Sequence, residues 1–234
     1  MKLEKTWWLP DWDTHYKEHI HQDHNGNFQY QKEQRDFSTS FCKKLGLALD
    51  IGGNIGFWSK DLALKFEKVV AFEPHPENIE CYKKNMEGFT NWKLEEVALS
   101  NKHQKGATLF QSPDESGNVS LLSHGVQYGN SKRTLKESAL KKLTTDVVML
   151  DDYVNKFEQN VDFIKVDCQE HEKEIVLGGL EFMSKNDSVV VLELPLRNDR
   201  EKEYAEDVAN IMLSIKYHRR GNLRKETVFT KWLQ

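Results

Sequence analysis

The sequence has no long apolar run, little cysteine and no excess of basic residues. No apolar stretch approaches the roughly 18 residues that a membrane-spanning helix needs, so we expect no membrane span. Residues 1–8 lack the uninterrupted apolar core of a signal peptide, which predicts a cytoplasmic protein.

The three cysteines, Cys42, Cys81 and Cys168, are an odd number without metal-ligand spacing, which indicates reduced thiols. A net charge of -4 and a pI near 6.2 argue against a general nucleic-acid binder. Two local basic stretches, 132–142 and 216–225, are either solvated surface or contacts for an anionic substrate such as a phosphorylated sugar. We therefore expect a small-molecule or glycan partner and no nucleic acid.

What the sequence does contain is a strand, a tight glycine turn and a helix in succession. The apolar run 47–51 predicts a buried strand, and a helical pattern follows through Trp58 and Leu62. Between them, Gly52 and Gly53 allow a sharp turn with no Cβ between the backbone and a ligand, and the helix start offers unpaired N–H groups. The turn is therefore predicted to hold a small ligand.

Two acids near this turn indicate which ligand it holds. A dinucleotide fingerprint has the order G-x-G-x-x-G, whereas this chain has Asp50-x-Gly52-Gly53-x-x-Gly56. An acid ahead of the glycines repels phosphate and suits a cation such as the sulfonium of S-adenosylmethionine. The next strand, 69–72, ends in Glu73, where an acid takes ribose hydroxyls. The pair favours S-adenosylmethionine over NAD, although an NAD-dependent oxidoreductase on a similar sheet stays an alternative.

Strands and helices continue to alternate along most of the chain. Helices are predicted over 76–86, 172–183 and 201–216, strands over 92–99, 161–167, 188–195 and 226–232, and a basic turn over 217–224. This alternation predicts an α/β fold with a doubly wound parallel sheet. The carboxyl ends of such strands face a ligand crevice, which puts Glu96, Val97 and Ala98 near an adenine ring.

Two segments depart from the alternation. Residues 1–45 are predicted to form an N-terminal arm whose aromatic side chains anchor it on the folded body, with a lead-in helix over 29–44. No metal site is predicted, because the histidines of the arm match no metal-site template: His15, His19, His21 and His24. Residues 101–160 are predicted to be a β-rich insertion in a single domain, 46–234, and to roof the substrate pocket. An irregular hairpin extension that does not touch substrate is the alternative.

Six motifs follow one another between residues 45 and 195: Asp50–Gly56, Val70–Pro74, Val97–Ser100, Leu150–Asp152, Asp162–Asp167 and Val191–Leu194. In residues and order they resemble the FkbM family of S-adenosylmethionine-dependent methyltransferases. The resemblance implies a class I methyltransferase fold, with a mostly parallel seven-stranded sheet whose last strand is antiparallel. It also implies methylation of hydroxyl oxygens on sugars, glycans or polyketide-type products. Residues 1–45 fall outside the resemblance. The way in which they lead into the fold is similar to that of small phage-encoded members, which would act in the host cytoplasm.

The chain departs from the family after the fourth strand of the fold. Where the family usually has Asp-Val-Glu-Gly-Ala-Glu, residues 167–172 are Asp-Cys-Gln-Glu-His-Glu. Gln169 therefore replaces a carboxylate and Glu170 replaces a glycine. This difference leaves open a non-catalytic relative that binds only a cofactor or a glycan.

We predict that Asp167, with His171 or Glu170 nearby, orients or deprotonates the methyl acceptor. The predicted cofactor-binding residues are Asp50, Gly52, Gly53, Asn54, Gly56, Glu73, Glu96 and Ala98. A solvated or helix-capping role is the alternative for His171. A nucleic-acid or protein methyltransferase that uses Arg219 and Arg220 is a further alternative, and a homodimer is left open.

Overall fold

A seven-stranded sheet forms the centre of the molecule. The computed structural model describes residues 1–16, 20, 30–123, 127–128, 133–134 and 137–232. In chain order its strands are β1 (Lys2–Glu4), β2 (Trp7–Leu9), β3 (Leu47–Ile51), β4 (Lys68–Phe72), β5 (Trp92–Glu95), β6 (Ala98–Leu99), β7 (Gln104–Gln111), β8 (Val119–Ser120), β9 (Gln127–Tyr128), β10 (Arg133–Thr134), β11 (Lys141–Val148), β12 (Val161–Val166), β13 (Val189–Glu193), β14 (His218–Leu223) and β15 (Glu226–Thr230). Its α-helices are α1 (Lys32–Thr39), α2 (Phe57–Lys65), α3 (Pro76–Asn85), α4 (Glu172–Leu177), α5 (Leu180–Lys185) and α6 (Asp199–Ser214), and short 3₁₀ helices span Glu137–Ala139 and Leu150–Tyr153.

The central sheet has the strand order β14-β15-β13-β12-β3-β4-β5. β15 runs antiparallel to both of its neighbours, and the other six strands share one direction. The chain leaves β3 toward β4 on one side and later returns to β12 on the other, so the order reverses between β3 and β12. The prediction of a doubly wound, mostly parallel sheet with an antiparallel last strand is confirmed.

Both faces of the sheet are covered by helices, and alternation along β3 divides its side chains between them. Leu47, Leu49 and Ile51 pack in the core beneath α4, α5 and α6. Ala48 packs in the core beneath α2 and α3. Asp50 shares the parity of Ala48, and it lies against α2 for that reason.

Three elements differ from the sequence-based expectation. The strand predicted over 92–99 divides into β5 of the central sheet and β6, which pairs with β11 in a second sheet. The helix predicted over 172–183 is two helices that meet at a turn containing Gly178. The backbone packs so closely against Ser100 there that a Cβ on Gly178 would lie 2.0 Å from the Ser100 carbonyl oxygen. The predicted basic turn over 217–224 is the edge strand β14, whose polar residues carry little strand signal.

The insertion contributes β7, β8 and β11 to a second sheet, which β6 completes in the order β6-β11-β7-β8. The arm begins with a hairpin, β1 paired with β2, that lies on α3: Trp8 donates its backbone N–H to Asn85 Oδ1 at 2.7 Å, and Asn85 Nδ2 donates to the Trp8 carbonyl at 3.0 Å. The lead-in helix is the short α1. His19, His21 and His24 lie outside the described residues. Within the described chain, no helix is both long and apolar enough to cross a membrane.

Candidate functional site

The first cavity opens at the carboxyl ends of β3 and β4. It encloses about 540 Å³ of empty space, a volume that includes its open mouth. The central fold contributes Gly52, Asn54 and Glu73. β6 contributes Ala98, and the insertion contributes Ser116 and its neighbours. Residues of the insertion therefore line part of this cavity.

The turn after β3 is held tightly against the end of β12. Gly52 has a φ of +83°, and a Cβ there would lie 2.0 Å from the Asp167 carbonyl oxygen. The N–H groups of Gly52 and Gly53 both donate to the Phe72 carbonyl at 3.0 Å. This pairing fixes the turn, and the missing side chain leaves one edge of the cavity open to a ligand.

Glu73 lies at the floor of the cavity and is almost fully buried. Its carboxylate accepts the backbone N–H of Asn54 at 2.8 Å and that of His75 at 2.9 Å. Burial raises the pKa of Glu73 to about 7, against the opposing effect of these two N–H groups. Glu73 is therefore a preorganised acceptor whose charge changes near neutral pH.

Asp50 does not line this cavity. Its carboxylate accepts the Ser59 hydroxyl of α2 at 2.6 Å, and its register partner on β12 is Lys165. Burial raises the pKa of Asp50, and the Lys165 ammonium opposes that rise. Asp50 and Glu73 are both predicted cofactor residues, and of the two spaces at these strand ends Glu73 lines the first cavity and Asp50 lines the second cleft described next.

A second, smaller cleft lies on the α2 side of the same strand ends. It encloses about 300 Å³ including its open part. Its floor is Asp50, Lys165 and Asp167, and its walls include Tyr16, Tyr30 and Gln31 of the arm, with Phe57 and Trp58. The lining of both spaces includes Gly52, Asn54 and Asp167, so the two spaces meet there.

Asp167 belongs to a buried network of alternating charges. Lys165 Nζ donates to Asp167 Oδ2 at 2.9 Å, and Lys225 Nζ donates to Glu193 Oε1 at 2.8 Å. The Gln169 amide donates to Asp167 Oδ1 at 3.2 Å and to Glu193 Oε2 at 3.1 Å. Burial by itself would raise the pKa of Asp167, but Lys165 and the contact with Glu193 hold that pKa well below its usual range. Burial and the Asp167 charge raise the pKa of Glu193. Asp167 is thus the ionised member of the pair.

The turn after Asp167 places two consecutive residues in the left-handed region. Gln169 has a φ of 54° and Glu170 a φ of 68°, although neither is glycine. Arg200 binds the Glu170 carboxylate, and Tyr204 donates its hydroxyl to the Glu170 carbonyl at 3.1 Å. These contacts hold a conformation for which the resembled family uses glycine.

His171 lies on the first cavity but not on the second cleft. Its Nε2 contacts the Ser100 hydroxyl at 3.0 Å, next to β6, where the cavity approaches a groove lined by Ser100 and Glu174. Burial lowers the pKa of His171 to about 4, so the ring is neutral at neutral pH. The structure therefore does not bring His171 to the junction that Asp167 occupies.

The remaining predicted residues lie in different places. Ala98 lines the first cavity, and Gly53 lines the second cleft. Gly56 caps α2 and lies outside both spaces. Glu96 also lies outside both, because its half-exposed carboxylate pairs with Lys83 of α3 at 2.8 Å. Val97, between Glu96 and Ala98, also lines the first cavity.

Sequence reasoning missed Lys165, Tyr16, Tyr30 and Gln31. The position of Lys165 two residues before Asp167 on one strand was a usable signal, since side chains two apart share a face. The arm residues carry no such signal, because only tertiary packing brings them to the strand ends.

The first cavity has polar atoms suited to a nucleoside. Three buried atoms of residues that line it have no hydrogen-bond partner within the described structure: Asn54 Oδ1, Asn78 Oδ1 and Ser116 Oγ. Such atoms are costly unless a ligand or water meets them. Together with the Glu73 carboxylate they fit the hydroxyl and amino groups of an adenosine-containing cofactor. Across the described ranges, no group of three His, Cys, Asp or Glu side chains could hold a metal ion.

Comparisons with known proteins agree with this geometry. The methyltransferase FkbM domain matches residues 50–222. A crystal structure of the methyltransferase FkbM from Methylobacillus flagellatus KT is similar, with 14% identity and a TM-score of 0.52, over 83% of this chain and 47% of that one. This chain thus spans about half the length of that protein. No curated protein matches the sequence.

Two further solved structures match at lower similarity. A SAM-dependent methyltransferase from Aquifex aeolicus has 14% identity and a TM-score of 0.48, over 85% of this chain and 88% of that one. An rRNA methylase from Streptococcus thermophilus has 12% identity and a TM-score of 0.44, over 84% and 92%.

Proposed function

The chain belongs to the FkbM methyltransferase family, and on that premise we propose that it transfers the methyl group of S-adenosylmethionine to a hydroxyl oxygen of a sugar, glycan or other small metabolite. The observation that carries the proposal is the junction of the two spaces at Gly52, Asn54 and Asp167. A cofactor whose adenosine portion lay in the first cavity would have its reacting end at that junction, beside Asp167.

The first cavity is the proposed cofactor site. Glu73 would accept the ribose hydroxyls, as an acid at the end of the second strand does in related folds. Asn54, Asn78 and Ser116 supply the buried polar atoms described above, and Ala98 supplies an apolar wall for the base. S-adenosylmethionine, when bound, supplies a methyl group already activated by its sulfonium.

Charge supports this cofactor over NAD. Asp167 is ionised at the junction, and Asp50 lies behind the same turn. A pyrophosphate placed on the glycine turn would be close to these carboxyl groups, whereas a sulfonium would be attracted to them. The cofactor assignment rests on this difference.

Asp167 is the proposed residue that orients the acceptor. A carboxylate can accept a hydrogen bond from the acceptor hydroxyl and so hold its oxygen toward the methyl donor. Positioning of this kind supplies roughly 7–11 kcal/mol of the barrier in well-oriented reactions. Because the oxygen becomes strongly acidic as its new bond to carbon forms, even a carboxylate with a low pKa can take the proton. His171, bonded to Ser100, is not assigned this role.

Label transfer tests the proposal directly. The protein is incubated with S-adenosylmethionine labelled in the methyl group, together with methyl glycosides, fractionated cell extracts and bulk RNA in separate reactions. We expect label in a glycoside or in a small-molecule fraction, as a base-stable ether. Label in RNA, or in no fraction while S-adenosylhomocysteine still binds, would contradict the proposed acceptor class.

A further inference from the structure

We propose that Gln169 is a positioning residue for methyl transfer: its amide holds Asp167 toward the acceptor, and it does so at every pH because an amide does not titrate. This inference rests on the proposed function. The family usually has a glutamate at this place, where this chain has Gln169. The replacement is then a change in how the site responds to pH, and not a mark of lost activity.

Gln169 acts on the side of Asp167 that faces away from the cofactor. Asp167 follows β12, whose neighbours in the sheet are β3 on one side and β13 on the other. The first cavity and the second cleft are both lined by Gly52, which follows β3. Gln169 and Glu193, the last residue of β13, lie outside both spaces. A change at residue 169 should therefore leave cofactor binding intact.

The two carboxyl groups of the network have four oxygens, and each of them accepts a hydrogen bond. Lys165 Nζ donates to Asp167 Oδ2 at 2.9 Å. Lys225 Nζ donates to Glu193 Oε1 at 2.8 Å. Gln169 Nε2 donates to the other two oxygens, Asp167 Oδ1 at 3.2 Å and Glu193 Oε2 at 3.1 Å. An amide nitrogen carries two hydrogens, so Gln169 can serve both carboxyl groups at once.

A glutamate in place of Gln169 could not serve both. A protonated carboxyl group has one O–H, which can reach Asp167 or Glu193 but not the two together, and an ionised carboxylate has no donor at all. A third carboxylate between two others is also disfavoured by charge, so the introduced group would keep its proton to a higher pH than an isolated glutamate. In Gln169→Glu, the hydrogen bond to Asp167 would therefore be lost as pH rises through the titration of that group.

The backbone of Gln169 is fixed in the orientation that this contact needs. Ser120 of β8 donates its hydroxyl to the Gln169 carbonyl at 3.0 Å. Gln169 has a φ of 54°, a left-handed conformation that is uncommon outside glycine. Such conformations persist where surrounding contacts over-determine them, and they cluster at functional sites. The strained turn thus presents the amide to the two carboxyl groups.

Further titratable groups face this network from the elements packed around it. They are Asp50 of β3, Cys168, the Glu170–Arg200 pair, Glu172 of α4, Glu226 of β15 and Tyr30 of the arm. All of them are present in the wild type and in every variant considered below. A pH-dependent difference between wild type and a variant at residue 169 therefore reports that residue alone.

Two substitutions of Gln169 and one control test the proposal. Gln169→Glu makes the position titratable, and Gln169→Ala removes its donors at every pH. Gln159→Glu is the matched control, because it adds the same carboxyl group at an exposed position beside Leu47, at the opposite end of the strands. Carbon-13 NMR of protein labelled in the glutamate carboxyl groups follows the titration of each introduced group. That measurement needs neither cofactor nor acceptor.

Turnover is measured across the pH range in which the protein is folded. The reactions contain saturating S-adenosylmethionine and either a methyl glycoside or the extract fraction that takes up label. Calorimetry gives the affinity for S-adenosylhomocysteine, and thermal melts report folding.

We expect the carboxyl group of Gln169→Glu to titrate at least about one pH unit above that of Gln159→Glu. Turnover of Gln169→Glu should match the wild type at low pH and fall at least about tenfold below it as the introduced group ionises. Gln169→Ala should be slower than the wild type by a similar factor at every pH. Affinity for S-adenosylhomocysteine should stay within about threefold in all variants.

Equal titration midpoints for the two introduced carboxyl groups would overturn the proposal. So would a turnover of Gln169→Glu that keeps a constant ratio to the wild type at all pH values, because a merely structural role would change the melting temperature and leave that ratio constant. A wild type that binds no S-adenosylhomocysteine or transfers no methyl group overturns the proposed function, and the positioning role with it. The NMR midpoints distinguish that failure from a failure of the network.

Discussion

The two spaces at the end of the central sheet are built in different ways. The first cavity is shaped largely by backbone: the turn at Gly52, the N–H groups that Glu73 accepts, and the approach of β12 to β3. The second cleft is shaped by side chains from segments far apart in sequence, such as Tyr16, Trp58 and Asp167. The shape of the first cavity is therefore fixed by local chain geometry, whereas the shape of the second cleft can be changed by altering side chains of the arm.

The largest effect is expected for Gly52→Ala, which changes the backbone turn that borders the first cavity. The new Cβ would lie 2.0 Å from the Asp167 carbonyl oxygen, so the turn must move. We expect affinity for S-adenosylhomocysteine to fall by at least about a hundredfold, the equivalent of ~2.7 kcal/mol. Calorimetry measures it.

Gly88→Ala is the matched control, because Gly88 has a similar φ of +94° but no atom within 4 Å of the position that a Cβ would take. Left-handed conformation by itself costs a non-glycine residue about 1–2 kcal/mol. The control should therefore lose that much stability in a denaturant melt and keep its affinity. Similar affinities for the two variants would mean that the turn does not shape the cofactor site.

Asp167→Asn should lower turnover much more than it lowers cofactor affinity. The substitution keeps the shape of the side chain but removes the ionised acceptor, so we expect turnover to fall by about a hundredfold with affinity for S-adenosylhomocysteine changed much less. Stability should fall as well, because Lys165 loses its buried partner. Turnover is measured with the acceptor found by label transfer and corrected for the folded fraction. Unchanged turnover would remove Asp167 from the mechanism.

Glu73 predicts how cofactor binding responds to pH. Because burial raises its pKa to about 7, the carboxylate that accepts ribose hydroxyls forms only as pH rises toward 7. Affinity for S-adenosylhomocysteine should therefore rise with pH up to about 7 and then level off. Stability has the opposite trend: the folded protein holds this proton more tightly than the unfolded chain, so Glu73 costs stability as pH rises from about 4.5 to 7.

Glu73→Gln tests the assignment, because Glu115, whose pKa burial also raises to about 7, remains in that variant. The variant should bind about ten- to hundredfold more weakly, as expected for loss of a hydrogen bond to a charged group worth roughly 1.5–3 kcal/mol. Its binding should also be nearly independent of pH. A pH profile that survives the substitution would assign the titration to another group.

The smallest effect is expected at the turn that follows Asp167. Glu170→Gly relieves a left-handed conformation at 68° but loses an exposed pair with Arg200, which is worth about 0–1 kcal/mol. These terms nearly cancel, so we expect a change in unfolding free energy of at most about 1 kcal/mol, in the stabilising direction. Glu170→Ala keeps the strain and loses the pair, so it should be the less stable variant. A Glu170→Ala variant as stable as Glu170→Gly, or more stable, would show that the left-handed conformation at residue 170 carries no strain.

Sequence reasoning reached the first cavity because its parts are local. The apolar run of β3, the glycines and the acid after β4 are close together in the chain, and each has a direct physical meaning. Sequence reasoning failed where a residue's neighbours come from distant parts of the chain. Glu96 pairs with Lys83 outside both spaces, and the helix after His171 ends at Gly178, where the backbone packs against Ser100. The face of the sheet on which the Asp50 side chain lies could have been predicted. Successive side chains of a strand point to opposite faces, and Asp50 lies between Leu49 and Ile51.

The cofactor assignment is decided by calorimetry of one protein sample with S-adenosylhomocysteine and with NAD. We predict that S-adenosylhomocysteine binds and that NAD binds at least about a hundredfold more weakly, because carboxyl groups border the glycine turn where a pyrophosphate would lie. NAD binding as tightly as S-adenosylhomocysteine, or more tightly, would contradict the assignment.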